Sequence, residues 1–236
     1  MEDDRLENHP MSLEKDWKER CIPLFLHGDG VEFHSRDSLL VYSWGSMMGQ
    51  SGGSLKRHWL LGCYPKSCTC KSTWAPMWKW LKWSFEALGK GFHPVTDPDG
   101  QPLEKGSPFF AQAGKPLLGG YFAHLWSVMG DHEFYSNILK LPHWASHYPC
   151  WECNAENWAG CDASLNYKEI SLEKQKFVVG THAEHLADPW SSHPIFTLPH
   201  VSSKNVRSDA MHILFSKGLY SHVIGSMLHY LSLIHI

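Results

Sequence analysis

Apolar and polar positions alternate in short runs through the first third of the chain, and this predicts strands rather than helices. Cys21–Phe33 (CIPLFLHGDGVEF) reads as a strand interrupted by glycines around Asp29. A polar turn, His34–Asp37, leads to a second strand over Ser38–Met48, so the two predict a hairpin. After a glycine-rich loop at Gly49–Gly53, Arg57–Tyr64 predicts a third strand. The period then changes. Over Thr73–Leu88, the residues Trp74, Met77/Trp78, Leu81, Phe85 and Leu88 recur at helical spacing. Thr73 suits the N-cap, Pro76 the first turn, and Gly89 and Gly91 the end. Trp80 and Trp83 fall off this stripe, which suits either a second covered surface or stacking on bases.

Phe92–Gly114 carries Pro, Gly and Asp without a period and predicts a loop. Leu117–Val128 returns as a strand and runs into Met129-Gly130-Asp131, and His132–Leu139 predicts a short helix. From Pro142 to Asn205 the pattern dissolves into Trp, His, Cys and Pro, as expected of an irregular insertion pinned by metal. Asp209–Leu231 is helical again in period. Three strands, a helix and a further strand parallel to the first is the ribonuclease-H-like order. The expected fold class is therefore α/β: a mixed sheet with flanking helices, built from residues 21–236 behind a polar segment of residues 1–20, with the insertion at about 142–205.

Composition changes this picture little. The 236 residues, 43% of them apolar, suffice for one ordinary core. A net charge of -3 excludes a whole-molecule positive field for nucleic acid. One local patch remains: Lys56, Arg57, Lys66, Lys71, Lys79, Lys82 and Lys90 share a stretch whose only acid is Glu86. The opening MEDDRLENHP lacks the basic start and apolar run of a signal peptide, so the chain is not expected to be secreted. In a reducing interior the seven cysteines are expected free or metal-bound.

Two constellations carry chemistry. Asp29 sits within a strand, where an unpaired charge is costly, and its flanking glycines permit close approach. Asp131 follows the later strand. If those strands are neighbours, the two carboxylates offer hard oxygen ligands to Mg²⁺ or Mn²⁺, the arrangement of phosphodiester chemistry. Asp29 in Gly-Asp-Gly equally suits a turn, and Asp131 equally suits a helix cap. The second constellation is Cys150-Trp151-Glu152-Cys153, a pair spaced to chelate Zn²⁺ or to remain as reduced thiols. Its further ligands would come from His143, His147, Cys161, His182, His185 or His212, the last one turn past the cap residue Asp209. The group Cys63, Cys68 and Cys70 has no nearby histidine pair and reads as structural.

Taken in order, PLFLHGDGVEF around Asp29, GDHEFYSNILKL around Asp131, the YPCWEC cysteine pair and DAMHILFSKGLYSHVIGSML resemble cut-and-paste DNA transposases of the CACTA-like group, over roughly residues 21–231. The resemblance implies metal-dependent strand cleavage and transfer, with Asp29 and Asp131 as catalytic carboxylates on Mg²⁺ or Mn²⁺. It also implies DNA (transposon ends and target) as partner and the nucleus as location. Two departures bear on activity. The family's third carboxylate, a Glu on a helix beyond the Asp-x-x-His segment, has no counterpart, since the last acid is Asp209. Residues 1–20 are too short for a DNA-binding module. The chain therefore reads as a C-terminally truncated, inactive core ending in LSLIHI, with an oligomer compatible in the intact parent. The competing classes are a zinc-stabilised, non-catalytic module binding nucleic acid or protein, and a ribonuclease-H-like nuclease without strand transfer.

Overall fold

The computed structural model describes residues 10–34, 37–49, 57–143, 145–168, 173–174, 176–180, 184 and 193–208. A single turn of helix, α1 (Trp17–Arg20), leads into the long strand β1 (Cys21–His34). β2 (Asp37–Ser46) and β3 (Trp59–Pro65) follow, then helix α2 (Lys71–Lys90), the short helix α3 (Pro108–Gln112), β4 (Phe122–Gly130) and β5 (Val206–Ser208). The five strands form one sheet in the order β3-β2-β1-β4-β5. β2 runs antiparallel to both β1 and β3, whereas β4 runs parallel to β1 and β5 parallel to β4. The architecture is mixed α/β.

The strands predicted from alternation agree with β1 to β4 to within a few residues, because their inward positions are apolar. Leu24 and Leu26 of β1, Tyr42 of β2 and Leu125 and Val128 of β4 enter one core. Trp78 and Phe85 of α2 are buried against them, with Trp74, Met77, Leu81 and Leu88 packed alongside. The predicted helical stripe is thus the face that meets the sheet.

The helix start differs from expectation. α2 begins at Lys71, and Cys70 is the N-cap; Thr73 is its third residue, and its Oγ1 accepts from the Cys70 backbone N–H at 3.0 Å. Thr73 therefore satisfies an orphan donor from inside the first turn, the reciprocal half of a capping box. Gly91, at φ 71°, ends the helix, and its N–H donates to the Ala87 and Leu88 carbonyls. Gly89 stays helical. A Cβ there would lie 3.0 Å from the His124 ring, so the packing of helix on strand accounts for that glycine.

Residues 92–121 are more ordered than a loop reading implies. Trp83 Nε1 donates to the Thr96 carbonyl at 2.9 Å, and its ring meets Phe109 edge-on at 6.2 Å. Lys79 pairs with Asp99. Trp83 thus covers a second surface, and Trp80, half exposed, leans on it at 5.4 Å.

The expected irregular stretch Pro142–Asn205 needs the larger correction. Residues 145–168 are irregular, held by isolated bridges such as Glu156↔Asn166. Residues 193–208 instead return to the core. Ile195 and Val206 are fully buried, and Phe196, Leu198 and Val201 nearly so. Two tight turns, Pro194–Thr197 and Ser203–Asn205, carry the chain into β5. Asn205 serves as an internal clamp: its Oδ1 accepts from Ser202 N–H at 2.9 Å and its Nδ2 donates to the Trp126 carbonyl at 3.1 Å. Turns of this kind have no helical or strand period, and a three-residue strand is too short to show alternation. The predicted helix Asp209–Leu231 lies outside the described residues.

Two histidines, buried His193 and half-buried His124, are expected to make the fold acid-sensitive. Burial, with lesser effects of His200 and Lys140 respectively, pushes His124 and His193 down to about 4. His193 Nδ1 also accepts from the Ile195 N–H at 3.2 Å, so protonation there removes a cap. In the unfolded chain both titrate near about 6.5. As pH falls from 6.5 toward 4 the unfolded state takes up protons that the folded state refuses, so stability falls over that window and is flat above it. Urea midpoints measured from pH 8 to 4 are expected to drop below about pH 6.5, with a shallower drop in His124→Asn and His193→Asn; equal slopes in all three would remove the assignment.

Candidate functional site

The two sequence-predicted aspartates lie toward one end of the β1–β4 ladder and line one cavity. Gly28 of β1 is paired with Gly130 of β4 in the last row of the parallel ladder. Asp29 and Asp131 each follow that row by one residue. Neighbouring strands lie about 4.8 Å apart; Asp29 continues β1 past that row, and Asp131 opens the turn that follows β4. β1 continues to His34 while β4 stops at Gly130, which leaves Asp29 where the sheet narrows. Both aspartates line a cavity of about 250 Å³ that also touches Tyr42, Lys66, Trp74, Glu133 and Phe134.

The flanking glycines have a packing cause. A Cβ on Gly28 would lie 2.3 Å from the Phe134 ring, and one on Gly130 would lie 2.4 Å from the Gly28 carbonyl oxygen. Phe134, 5% exposed, sits over the Gly28–Gly130 row. Around Gly30, by contrast, nothing lies within 4 Å of an added Cβ. The close approach inferred for the glycines is therefore that of an aromatic ring at Gly28 and Gly130.

Each carboxylate has a local structural task as well. Asp29 accepts from the Gly30 N–H at 2.8 Å. Asp131 Oδ1 accepts from the Phe134 N–H at 2.6 Å and so caps the helical turn that begins at His132, which continues as the π-type turn Phe134–Ile138. Capping uses one oxygen of a group that has two oxygens and about four acceptor sites, so it is compatible with holding a cation. Among the described residues no third His, Cys, Asp or Glu joins the two in a group able to enclose a metal ion. Glu133 lines the cavity but is held by the Lys66 ammonium.

Three cavity residues escaped sequence reasoning. Lys66 stood among the basic residues, and Glu133 two positions past Asp131 was a weak signal. Tyr42 looked like any core aromatic. It is 1% exposed, and Trp74, Trp78 and Phe134 meet its ring edge-on at 5.7 to 6.0 Å. Burial and the neighbouring Tyr64 push its phenol well above the ordinary value, so it remains a neutral donor. Its hydroxyl has no hydrogen-bond partner among the described residues.

A larger cavity, about 750 Å³, lies at the other end of β4, lined by Phe122, His124, Leu198 and Val201 among others. Its acids are engaged: Glu14 faces Arg20 at 3.8 Å and Glu86 faces Lys82 at 3.7 Å. It lacks the paired carboxylates of the first cavity.

The basic stretch is less available than its sequence suggests. Lys66, Lys79 and Lys82 are paired with Glu133, Asp99 and Glu86. Cys63, Cys68 and Cys70 are exposed, and hydrogen bonds from Ser72 and Thr73 pull the Cys70 thiol down to about 7.

Cys150 and Cys153 are half-buried free thiols on one turn. Cys150 Sγ accepts from the Glu152 N–H at 3.4 Å, and Cys153 bridges to Val179. Burial and the adjacent Cys150 thiol push Cys153 up to about 11. Of the proposed further ligands, His143 Nδ1 accepts from the Ala145 N–H at 3.1 Å and Cys161 Sγ accepts from Asn166 Nδ2 at 3.5 Å. Neither these nor His147 completes a metal-holding group with the pair among the described residues. His182, His185 and His212 lie outside the described residues, as does Asp209.

No protein-family model matches the chain, and no curated protein or solved structure does either.

Proposed function

We propose that this chain is part of the ribonuclease-H-like catalytic core of a cut-and-paste DNA transposase of the CACTA-like kind, which acts on transposon-end and target DNA in the nucleus. The observation that carries the reading is the placement of Asp29 on β1 and Asp131 just past the end of the parallel β4, each one step beyond the paired Gly28↔Gly130 row and lining one cavity. The strand order β3-β2-β1-β4-β5, with β2 antiparallel to both its neighbours, supports the ribonuclease-H-like assignment. Fold order alone would not carry function.

The donor set fits Mg²⁺ or Mn²⁺. Such ions take oxygen ligands and are commonly held by one or two carboxylates, with water and substrate phosphate completing the shell. When bound, the cation supplies Lewis acidity to the phosphodiester and an activated water. Asp29 and Asp131 would hold it, with the Asp131 cap fixing one carboxylate on the helical turn and the Phe134 ring packed over the Gly28–Gly130 row. The test is Mn²⁺-dependent nicking of transposon-end DNA by the intact parent protein. Asp29→Asn and Asp131→Asn are expected to stop it, and undiminished cutting by either refutes the reading.

We infer further that Cys150 and Cys153 hold Zn²⁺, with His212 as a third ligand. The turn between them, with the Glu152 N–H directed at Cys150 Sγ, is a geometry that favours a thiolate. Zinc would bring the Cys153 thiol down from its raised value, since only the thiolate binds. Metal analysis of purified protein is expected to find about one equivalent of zinc, lost in Cys150→Ser/Cys153→Ser together with some thermal stability. A zinc-free wild type with an unchanged melting temperature rules this out.

A further inference from the structure

Asp131 is preceded by Gly130, and glycine leaves the backbone more conformational freedom than any other residue does. A carboxylate on such a joint stays in one place only if the peptide before it is held. Tyr135, 2% exposed in the turn that follows, holds it from both sides. Its hydroxyl accepts from the Gly130 N–H at 2.8 Å, and its own N–H donates to the Asp131 carbonyl at 3.1 Å. The same hydroxyl donates to the Arg207 carbonyl of β5. One side chain thus ties together the end of β4, the residue after it and the neighbouring strand. The ring in turn has a support. Trp151, between Cys150 and Cys153, meets Tyr135 edge-on at 5.3 Å and His132 at 6.1 Å. The Trp151 carbonyl accepts from Ser203 Oγ at 3.3 Å, and Glu152 beside it pairs with Arg207 at 3.7 Å. The cysteine turn is therefore fastened to the segment that forms β5, with its tryptophan against Tyr135.

We propose that Tyr135 is a positioning residue for the Asp131 carboxylate, with Trp151 as its support. The inference rests on the two-aspartate cation reading of the site. Tyr135 touches no cation in this role. The bond from the Phe134 N–H fixes the Asp131 side chain, and Tyr135 fixes the main chain that carries it. Without the hydroxyl, the Gly130 N–H and the Arg207 carbonyl both lose a partner, and the glycine joint regains its freedom. Groups that stand behind a metal ligand and orient it contribute about 10–100-fold to metal affinity.

The test is titration of Mn²⁺ into the full chain, well below every melting temperature, beside hydrogen exchange at the Gly130 amide. In Tyr135→Phe that amide is expected to exchange faster than in wild type, and Mn²⁺ affinity to fall on the order of 10-fold. Trp151→Leu keeps the tyrosine hydroxyl and loses only the ring support, so its affinity should fall in the same direction by less. It decides the matter if Tyr135→Phe does not fold. Leu198→Ala opens the core beside the other cavity and is the control. It is expected to melt lower than wild type and to bind Mn²⁺ as wild type does. Wild-type affinity in Tyr135→Phe, or in Trp151→Leu where the first variant is unfolded, overturns the proposal. An equal loss in Leu198→Ala overturns it too, since the effect would then be one of general stability. A wild type that binds no Mn²⁺ sinks the two-aspartate reading and the positioning role with it. Affinity lost in Asp29→Asn and Asp131→Asn but kept in Tyr135→Phe sinks the positioning role alone.

Discussion

Mn²⁺ binding to Asp29→Asn or Asp131→Asn is expected to fall on the order of 100-fold, about 2.7 kcal/mol. Each substitution removes one full negative charge next to a dication while keeping an oxygen in place. At 4 Å, one pair of unit charges near a protein surface interacts by about 4 kcal/mol, and desolvation of the ion offsets part of that. The asparagines separate this role from the structural one. Asp131 caps the following turn through Oδ1, and an Asn carbonyl oxygen can accept the same Phe134 N–H. Asn is as good an N-cap as Asp, so Asp131→Asn should melt close to wild type. Asp131→Ala loses the cap too, at a cost of roughly 1 kcal/mol. Calorimetric titration alongside thermal melts distinguishes the cases. Wild-type Mn²⁺ affinity in both asparagine variants would leave Asp131 as a cap and nothing more.

The largest stability effect is expected for Trp78→Ala, at about 3–5 kcal/mol. Trp78 is 2% exposed and joins three parts of the fold. It stands on α2, meets Tyr42 of β2 edge-on at 6.0 Å and meets His193 edge-on at 4.8 Å. Removing it opens a void between helix, sheet and the returning segment before β5, and close-packed interiors refill such voids poorly. Against a usual total of about 5–15 kcal/mol, the loss is a large fraction. Trp80→Ala is the internal control, since Trp80 is 50% exposed and leans only on Trp83 among the contacts described above. Urea unfolding should place Trp78→Ala far below Trp80→Ala; comparable midpoints would mean that the helix face has been wrongly assigned.

Both predictions depend on a placement the chain announced only in part. The class of each early element was legible because its signal is local. Alternation over Cys21–Phe33 and Ser38–Met48 and the helical stripe through Trp78 and Phe85 depend on neighbours two to four residues away, and burial of those positions then follows. Asp29, between two glycines, and Asp131, after Gly130, stood out for the same reason, as acids beside apolar runs. The role of those glycines was not legible. Gly28 and Gly130 make room for Phe134, whose ring reaches a strand position more than a hundred residues away in the chain.

What the sequence determined by itself was the kind of the early strands, of α2 and of β4, their inward faces and two candidate carboxylates, since propensity and period act over a few residues. Only the tertiary structure decided which strands are neighbours, that Gly28 and Gly130 share the last rung, and that Val206–Ser208 completes the sheet. It also decided that Tyr42 is buried among Trp74, Trp78 and Phe134 and that Lys66 rests on Glu133. These depend on contacts between segments far apart in the chain, whose energies arise from packing and hydrogen bonding at close range and leave no period along the sequence.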